Sequence, residues 1–376
     1  MRYIKILFIF FLVIGILGAG FLIGGYFWIS RGLPEIKKIT DYSPCLTTTV
    51  YSRNNSVIGY FYRQNRFLFS LKDVPDYVKD AFLAAEDSEF YHHKGIDFMG
   101  ILRAAIKNIE AGTIVQGGST ITQQVVKSIL LSPERSYKRK IREAILAYRL
   151  EKYLTKDEIL TIYLTQIYLG AGAYGVEAAA RTYFGKHAKD LTLAEAAILA
   201  GLPKAPSLYN PYRHPDRAKI RQKYVLTRML KLGWITKKQY EEAISSPLEL
   251  KKMEDPSWKI GPYFLEEVRR FLIQRYGEDR TYCGGLQVYT TMDIKHQKAA
   301  EKALRAGLIA STKRRGFRGP IEHLIKKQEI DKFLSHNSNE LLQELKLGKW
   351  IKVLVENVKK NRCSGNIWEQ YRFHTR

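Results

Sequence analysis

Hydrophobic positions follow different rhythms along the chain, and the first is continuous. From Ile6 to Ser30 there is no charged residue. At a rise of about 1.5 Å per residue, these roughly 25 residues reach about 37 Å, enough to cross a hydrocarbon core of about 30 Å. A cleaved signal peptide is the competing reading, but its apolar region is usually about 7–15 residues long and ends at a small-residue site. Here the run passes Gly18-Ala19-Gly20 and continues to Tyr26 and Trp28, residues suited to a membrane interface. The pattern predicts an uncleaved transmembrane anchor over 6–30, with residues 1–5 as a short tail.

Alternation comes next. Leu46–Tyr51 and Val57–Tyr62 read as strands joined by a turn at Ser52-Arg53-Asn54-Asn55, and Arg66–Ser70 as a third. Together, residues 31–72 form a β linker. A helical period then holds from Asp73 to about Ala243. Asp73 is a cap, with Pro75 and Asp76 in the first turn. Thr155–Glu158, Thr192–Glu195 and Thr236–Gln239 are capping boxes. The helix opened by Thr192 is apolar nearly all round and stops at Gly201 before Pro203, so it belongs in a core. Residues 73–245 are thus one helical domain. Pro247–Pro262 reads as a connection, Phe264–Tyr276 as helix, Leu286–Thr291 as strand and Ile294–Leu308 as helix, giving a linker region over 246–317. The basic, turn-rich Lys313–Pro320 marks a boundary. Mixed helix and strand signals follow over 318–376, although Lys359–Arg376 shows no clear period.

The formal net charge is +24. That suits a solvated basic surface or an anionic partner, and a chain whose bulk lies outside the cytoplasm disfavours nucleic acid. Arg2 and Lys5 precede the apolar run, while Arg31, Lys37 and Lys38 follow it. The short basic tail is the expected cytoplasmic side, because long following domains translocate largely regardless of charge. Cys45, Cys283 and Cys363 form no metal-type spacing and no disulfide framework, and are assigned no role.

Three segments carry candidate chemistry. Glu86 and Asp87 follow the apolar Ala81–Ala85 and precede Phe90, His93 and Gly95. A carboxylate at such a helix end can be desolvated, which raises its pKa toward useful base chemistry. Gly117-Gly118 lead into Ser119, Thr120, Thr122, Gln123, Gln124 and Lys127, a helix start whose N–H groups and hydroxyls can face an anion. Ser119, Gln123 and Lys127 are spaced to share a face. Arg139 and Lys140 with Glu143 close a cation-rich run able to neutralise a departing phosphate. Taken singly, each segment reads as ordinary surface: helix-end acids, an N-cap, an i,i+4 ion pair.

In this order the segments resemble the peptidoglycan glycosyltransferases, family 51, the polymerising module of class A penicillin-binding proteins. Glu86, Asp87, Phe90, His93 and Gly95 match one motif; Gly117, Ser119, Thr120, Thr122, Gln123 and Gln124 a second; Arg139, Lys140 and Glu143 a third. Ile159–Leu164 and Tyr183-Phe184-Gly185-Lys186 look like the rest. Thr161 and Thr165 depart from the usual Glu and Asn, and no role is carried onto them.

The resemblance implies a mainly α, lysozyme-like fold with a hydrophobic face dipping into the membrane, and a partial, β-containing C-terminal domain over 318–376. It implies lipid II and the growing glycan strand as partners, besides other cell-wall synthesis proteins. Glu86 and Glu143 would be catalytic. Asp87, Ser119, Thr120, Gln123, Gln124, Lys127, Arg139 and Lys140 would bind substrate. No cofactor is required, no protein metal site is assigned, and the donor pyrophosphate is held directly or through Mg or Mn. The expected place is the bacterial inner membrane, single-pass, with the catalytic domain in the periplasm. Neither a Ser-x-x-Lys nor a Lys-Thr/Ser-Gly motif occurs, so transpeptidation is not expected and the chain looks truncated before that domain. A lysozyme-like peptidoglycan-cleaving enzyme and an inactive anchored remnant are the alternatives.

Overall fold

The computed structural model describes residues 20, 24, 29–34, 43–68, 70–113, 117–131, 136–251, 255–315, 321–340, 352–359, 362–368 and 371–374. The expected anchor lies outside them except for Gly20, Gly24, Ile29 and Ser30. Among the described residues, no helix is long and apolar enough to cross a membrane.

The chain divides into two compact units, 1–300 and 301–376. The first is mainly helical. Strands β1 (Thr48–Tyr51) and β2 (Val57–Phe61) pair antiparallel around the expected turn. The third strand shrinks to β3 (Asn65–Arg66), which pairs parallel with β4 (Ala173–Tyr174). The segment after it becomes a short 3-10 turn, Leu71–Asp73, whose N-cap is Ser70. Asp73 therefore belongs to that turn, and helix α1 (Asp76–Glu86) starts behind Pro75 instead. Proline suits the position, because a helix's first N–H groups have no intrahelical partner.

Helices α2 (Phe98–Ala111), α3 (Ile121–Leu130), α4 (Tyr137–Leu150), α5 (Lys156–Gln166) and α6 (Val176–Phe184) follow. After them come α7 (Leu193–Gly201), α8 (Pro215–Lys231) and α9 (Lys237–Ser245). The three expected capping boxes form, and a further one joins Thr120 and Gln123 at the head of α3. Helix α7 is buried along almost its whole length, as its all-round apolar sequence requires. It packs against α1 and α8, so the helix ending in Glu86 rests on the hydrophobic centre of the unit.

A smaller core holds Val50, Ile58 and Phe61 against Leu265 and Leu272 of α10 (Pro262–Cys283) and against Met292. Helix α10 is broken at Gly277, whose φ of 81° lies outside the helical region. Strand β5 (Gln287–Tyr289) then returns to pair parallel with β1. Beside that pairing, Cys45 and Cys283 are joined by a disulfide, S–S 2.02 Å. This corrects the reading that the cysteines have no role: a sequence separation of 238 hides a contact that the sheet creates.

Helix α11 (Ile294–Arg314) runs past its expected end. In the second unit, α12 (Lys327–Glu340) packs on β7 (Arg362–Trp368), the middle strand between β6 (Leu354–Lys359) and β8 (Tyr371–His374). Strands thus occupy the polar tail in which no period was visible.

Candidate active site

Glu86 and Asp87 are adjacent, but the end of α1 separates their surroundings. Asp87 is the C-cap and is buried. Its carboxylate accepts from the backbone N–H of Ile121 at 2.9 Å and lies 3.0 and 3.1 Å from His93 Nε2. It therefore ties α1, the His93 loop and the start of α3 into one junction. Gly95 allows that junction to close. Its φ is +84°, and a Cβ there would sit 2.7 Å from the Ala147 carbonyl of α4. Its own carbonyl accepts from Thr120 Oγ1 at 2.7 Å.

Glu86 is only partly buried, and its Oε2 accepts from Gln124 Nε2 at 2.9 Å. Burial pushes its pKa up; the Gln124 hydrogen bond and the charges of Arg221 and Lys204 pull the other way, and Asp87 adds to the rise. The net direction is upward, toward proton transfer near neutrality. The Tyr163 hydroxyl is buried without a hydrogen-bond partner, and burial raises its pKa well above the ordinary phenol value. The charges of Glu86 and Asp87 add to that rise, which puts this hydroxyl in the field of both carboxylates.

The second segment is divided differently from its spacing. Ser119 precedes α3, Gln123 is 3% exposed, and Lys127 is exposed, so they do not share a solvent face. Gln123 is spent on the capping box, where its Oε1 accepts from Thr120 N at 3.0 Å. Gln124, the next residue, is the amide that reaches the candidate base.

The third segment gathers around Glu143 and reaches Ser119. Glu143 is 1% exposed, which no i,i+4 surface pair predicts. Lys140 Nζ donates to Glu143 Oε2 and to Ser119 Oγ, both at 2.7 Å. Arg139 Nε stands 3.5 Å from Glu143 Oε1, an ion-pair distance, yet both atoms are buried without a hydrogen-bond partner. This cluster can receive an anion at Lys140 and Arg139 while Glu143 holds the cations in place. It does not fit a resident metal: Glu143 already serves two cations, and no group of three metal-ligating side chains exists among the described residues.

Thr165 Oγ1 donates to Thr161 O and Thr161 Oγ1 to Asp157 O, each at 2.7 Å, so both departures from the usual motif bond back along their own helix. Beside the site, α2 presents Phe98, Met99, Leu102 and Ile109 to solvent at 74, 67, 54 and 80% exposure, and of its residues only Ala104 is buried. A groove of about 770 Å³ runs between its first turn and α4, lined by Phe98, Met99, Ile141 and Tyr148. Sequence reasoning missed Tyr163, which lies inside a matched segment.

A family model described as transglycosylase matches residues 54–230. Penicillin-binding protein 1A of Aquifex aeolicus is 46% identical over 321 residues, 85% of this chain and 43% of that protein. Penicillin-binding protein 1A of Neisseria flavescens is 47% identical over 287 residues, 76% of this chain and 36% of that protein. A crystal structure of penicillin-binding protein 1A from Haemophilus influenzae matches with 29% identity, covering 88% of this chain and 39% of that one, at a TM-score of 0.44. The chain spans about two fifths of the length of these curated relatives.

Proposed function

We propose, from the match of residues 54–230 to the transglycosylase family model, that this chain is a peptidoglycan glycosyltransferase that polymerises lipid II. Glu86 carries the reading: a partly desolvated carboxylate with a raised pKa, held at the end of α1 by the Gln124 amide. Glu86 takes the proton from the 4-hydroxyl of the incoming disaccharide unit. The freed oxygen forms a bond to the anomeric carbon of the growing strand. The bond from that carbon to the diphosphate breaks, and the polyprenyl diphosphate leaves with the electron pair. Attack opposite the leaving group turns an α-linkage into β-1,4.

Lys140 and Arg139 hold the diphosphate and stabilise the charge that develops on it. Glu143 orients them, Ser119 shares Lys140, and Lys127 adds a further cation at the exposed edge of α3. Asp87, Thr120 and Gln123 fix the backbone beneath the substrate, and Gln124 aims the base. The apolar face of α2 seats the domain on the leaflet that holds the lipid tail, with residues 6–30 as the anchor. The Cys45–Cys283 disulfide supports an extracytoplasmic setting, because such bonds persist in oxidising compartments. The growing strand, the membrane and other cell-wall synthesis proteins are the partners, and the lysozyme-like arrangement belongs to the same proposal.

The test is glycan synthesis from purified lipid II. Glu86→Gln is expected to abolish polymerisation with an unchanged thermal midpoint. Long glycan from the folded variant would remove Glu86 as the base. Lys140→Ala is expected to weaken donor use and shift product lengths on gels, and an unaltered profile would count against the cationic cradle.

A further inference from the structure

Helix α8 sends three long polar side chains to backbone carbonyls of other helices. Arg221 Nε donates to Gly201 O at 3.2 Å, and Gln222 Nε2 to Ala194 O at 2.7 Å. Both ends of α7 are thereby tied to α8. Val225, Leu226 and Met229 of α8 are fully buried in the central core, so polar bonds and apolar packing fix this helix together. The third side chain, Arg228, reaches α1. Its Nε donates to Ala84 O, two residues before Glu86.

That carbonyl stands where a helix runs out of donors. The last four C=O groups of a helix have no intrahelical partner. At the end of α1, Leu83 O still accepts from the Asp87 N–H at 2.8 Å. Ala84 O would need Ser88 as its donor, and Ser88 lies past the helix end. Arg228 supplies the donor instead, and its positive charge suits the negative end of the helix dipole. On the far side of Glu86, the Asp87 carboxylate accepts from the Ile121 N–H at 2.9 Å. Glu86 therefore leaves the helix between two tertiary bonds, one from α8 and one from α3. Arg228 lies outside the matched motifs.

We propose that Arg228 is a positioning residue for the reaction: it caps the open end of α1 from a fixed α8, and so sets where the Glu86 carboxylate stands relative to the acceptor hydroxyl. This rests on reading Glu86 as the base. Proton transfer needs base and hydroxyl within hydrogen-bond reach, and a displacement of about 1 Å costs up to about 10²-fold in rate. Without the bond from Arg228, the last turn of α1 loses its cap and Glu86 moves with it. The cations at Arg139 and Lys140 stand on α4 and are not displaced. The loss therefore falls on kcat and spares KM.

The experiment compares two uncharged replacements that keep the apolar stem of this half-buried residue. Glutamine places an amide nitrogen at the position of Arg228 Nε, and methionine places a methyl there. Arg228→Met is expected to lower kcat for lipid II polymerisation about tenfold, with KM within about twofold. It is also expected to speed hydrogen exchange at the Asp87 amide, which closes the last turn of α1. Arg228→Gln is expected to recover most of kcat and the slow exchange. All variants are measured well below the lowest thermal midpoint, so global unfolding does not contribute. Parental kcat in folded Arg228→Met overturns the proposal. Equal losses in the methionine and glutamine variants overturn it too, because the effect would then belong to charge and not to the bond with Ala84. Faster exchange in Arg228→Met alongside an active Glu86→Gln variant would keep Arg228 as the cap of α1 and discard Glu86 as the base.

Discussion

At the scale of single residues, the site depends on neighbours that sequence treats as equivalent. Glu86 and Asp87 are two adjacent acids, and Gln123 and Gln124 two adjacent amides. A helix end turns about 100° between successive residues, so each pair is divided between the interior and the cleft. The sequence marks both pairs but not which member is buried, because that depends on the cap geometry of Asp87 and Thr120. Gly95 is different: its need for a positive φ and a missing Cβ is a property of one position. Gly95→Ala is expected to cost about 2 kcal/mol or more, since backbone strain and a clash with the Ala147 carbonyl act together. Urea unfolding would measure it, and a midpoint equal to that of the parent chain would contradict the close approach.

At the scale of elements, capping was the most readable feature, because it needs only residues three apart. The boxes at Thr155, Thr192 and Thr236 are local signals with local outcomes. The box at Thr120 does more, because Thr120 Oγ1 also donates to Gly95 O and the residue is buried. Thr120→Ala is therefore expected to cost about 1–2 kcal/mol, at the upper end for a cap, and Thr236→Ala on the surface clearly less. Paired denaturation curves would compare them; equal losses would argue that the tertiary bond adds nothing.

Helix α6 offers a pH test. Burial alone would raise Glu177, but the Ala188 N–H, Arg181 and His187 hold it below the ordinary carboxylate value. A depressed folded-state pKa contributes stability above the unfolded value, about 4.3, and that contribution is lost as pH falls through the folded value. The parent chain should lose more stability than Glu177→Gln on acidification through and below about pH 4. Parallel losses would show that Glu177 carries no linkage. The third strand is shorter than its sequence suggests, because only Asn65–Arg66 meets a strand partner, Ala173–Tyr174, far along the chain, and the segment after it turns into Leu71–Asp73.

At the scale of the whole molecule, helical class and the order of the matched segments were readable, since periodicity and spacing survive folding unchanged. The bond between Cys45 and Cys283 was not, because it depends on β5 returning beside β1 after the helices between them have packed. Replacing both cysteines by alanine is expected to cost about 3–5 kcal/mol through the longer unfolded loop. Reductant should lower the thermal midpoint of the parent chain to that of the double variant, and no response to reductant would mean that the bond does not form.

That bond also sets how the molecule carries tension. A pull applied before Cys45 and after Cys283 passes across the sulfur bridge and leaves the helices between them unloaded. Handles at residues 43 and 290 should therefore show almost no lengthening under force while the bridge is intact. Once it is reduced, they should release a contour length of about 80 nm. The transglycosylase segment is a closed loop in parallel with the line of force, free to keep its shape while whatever it joins is stretched.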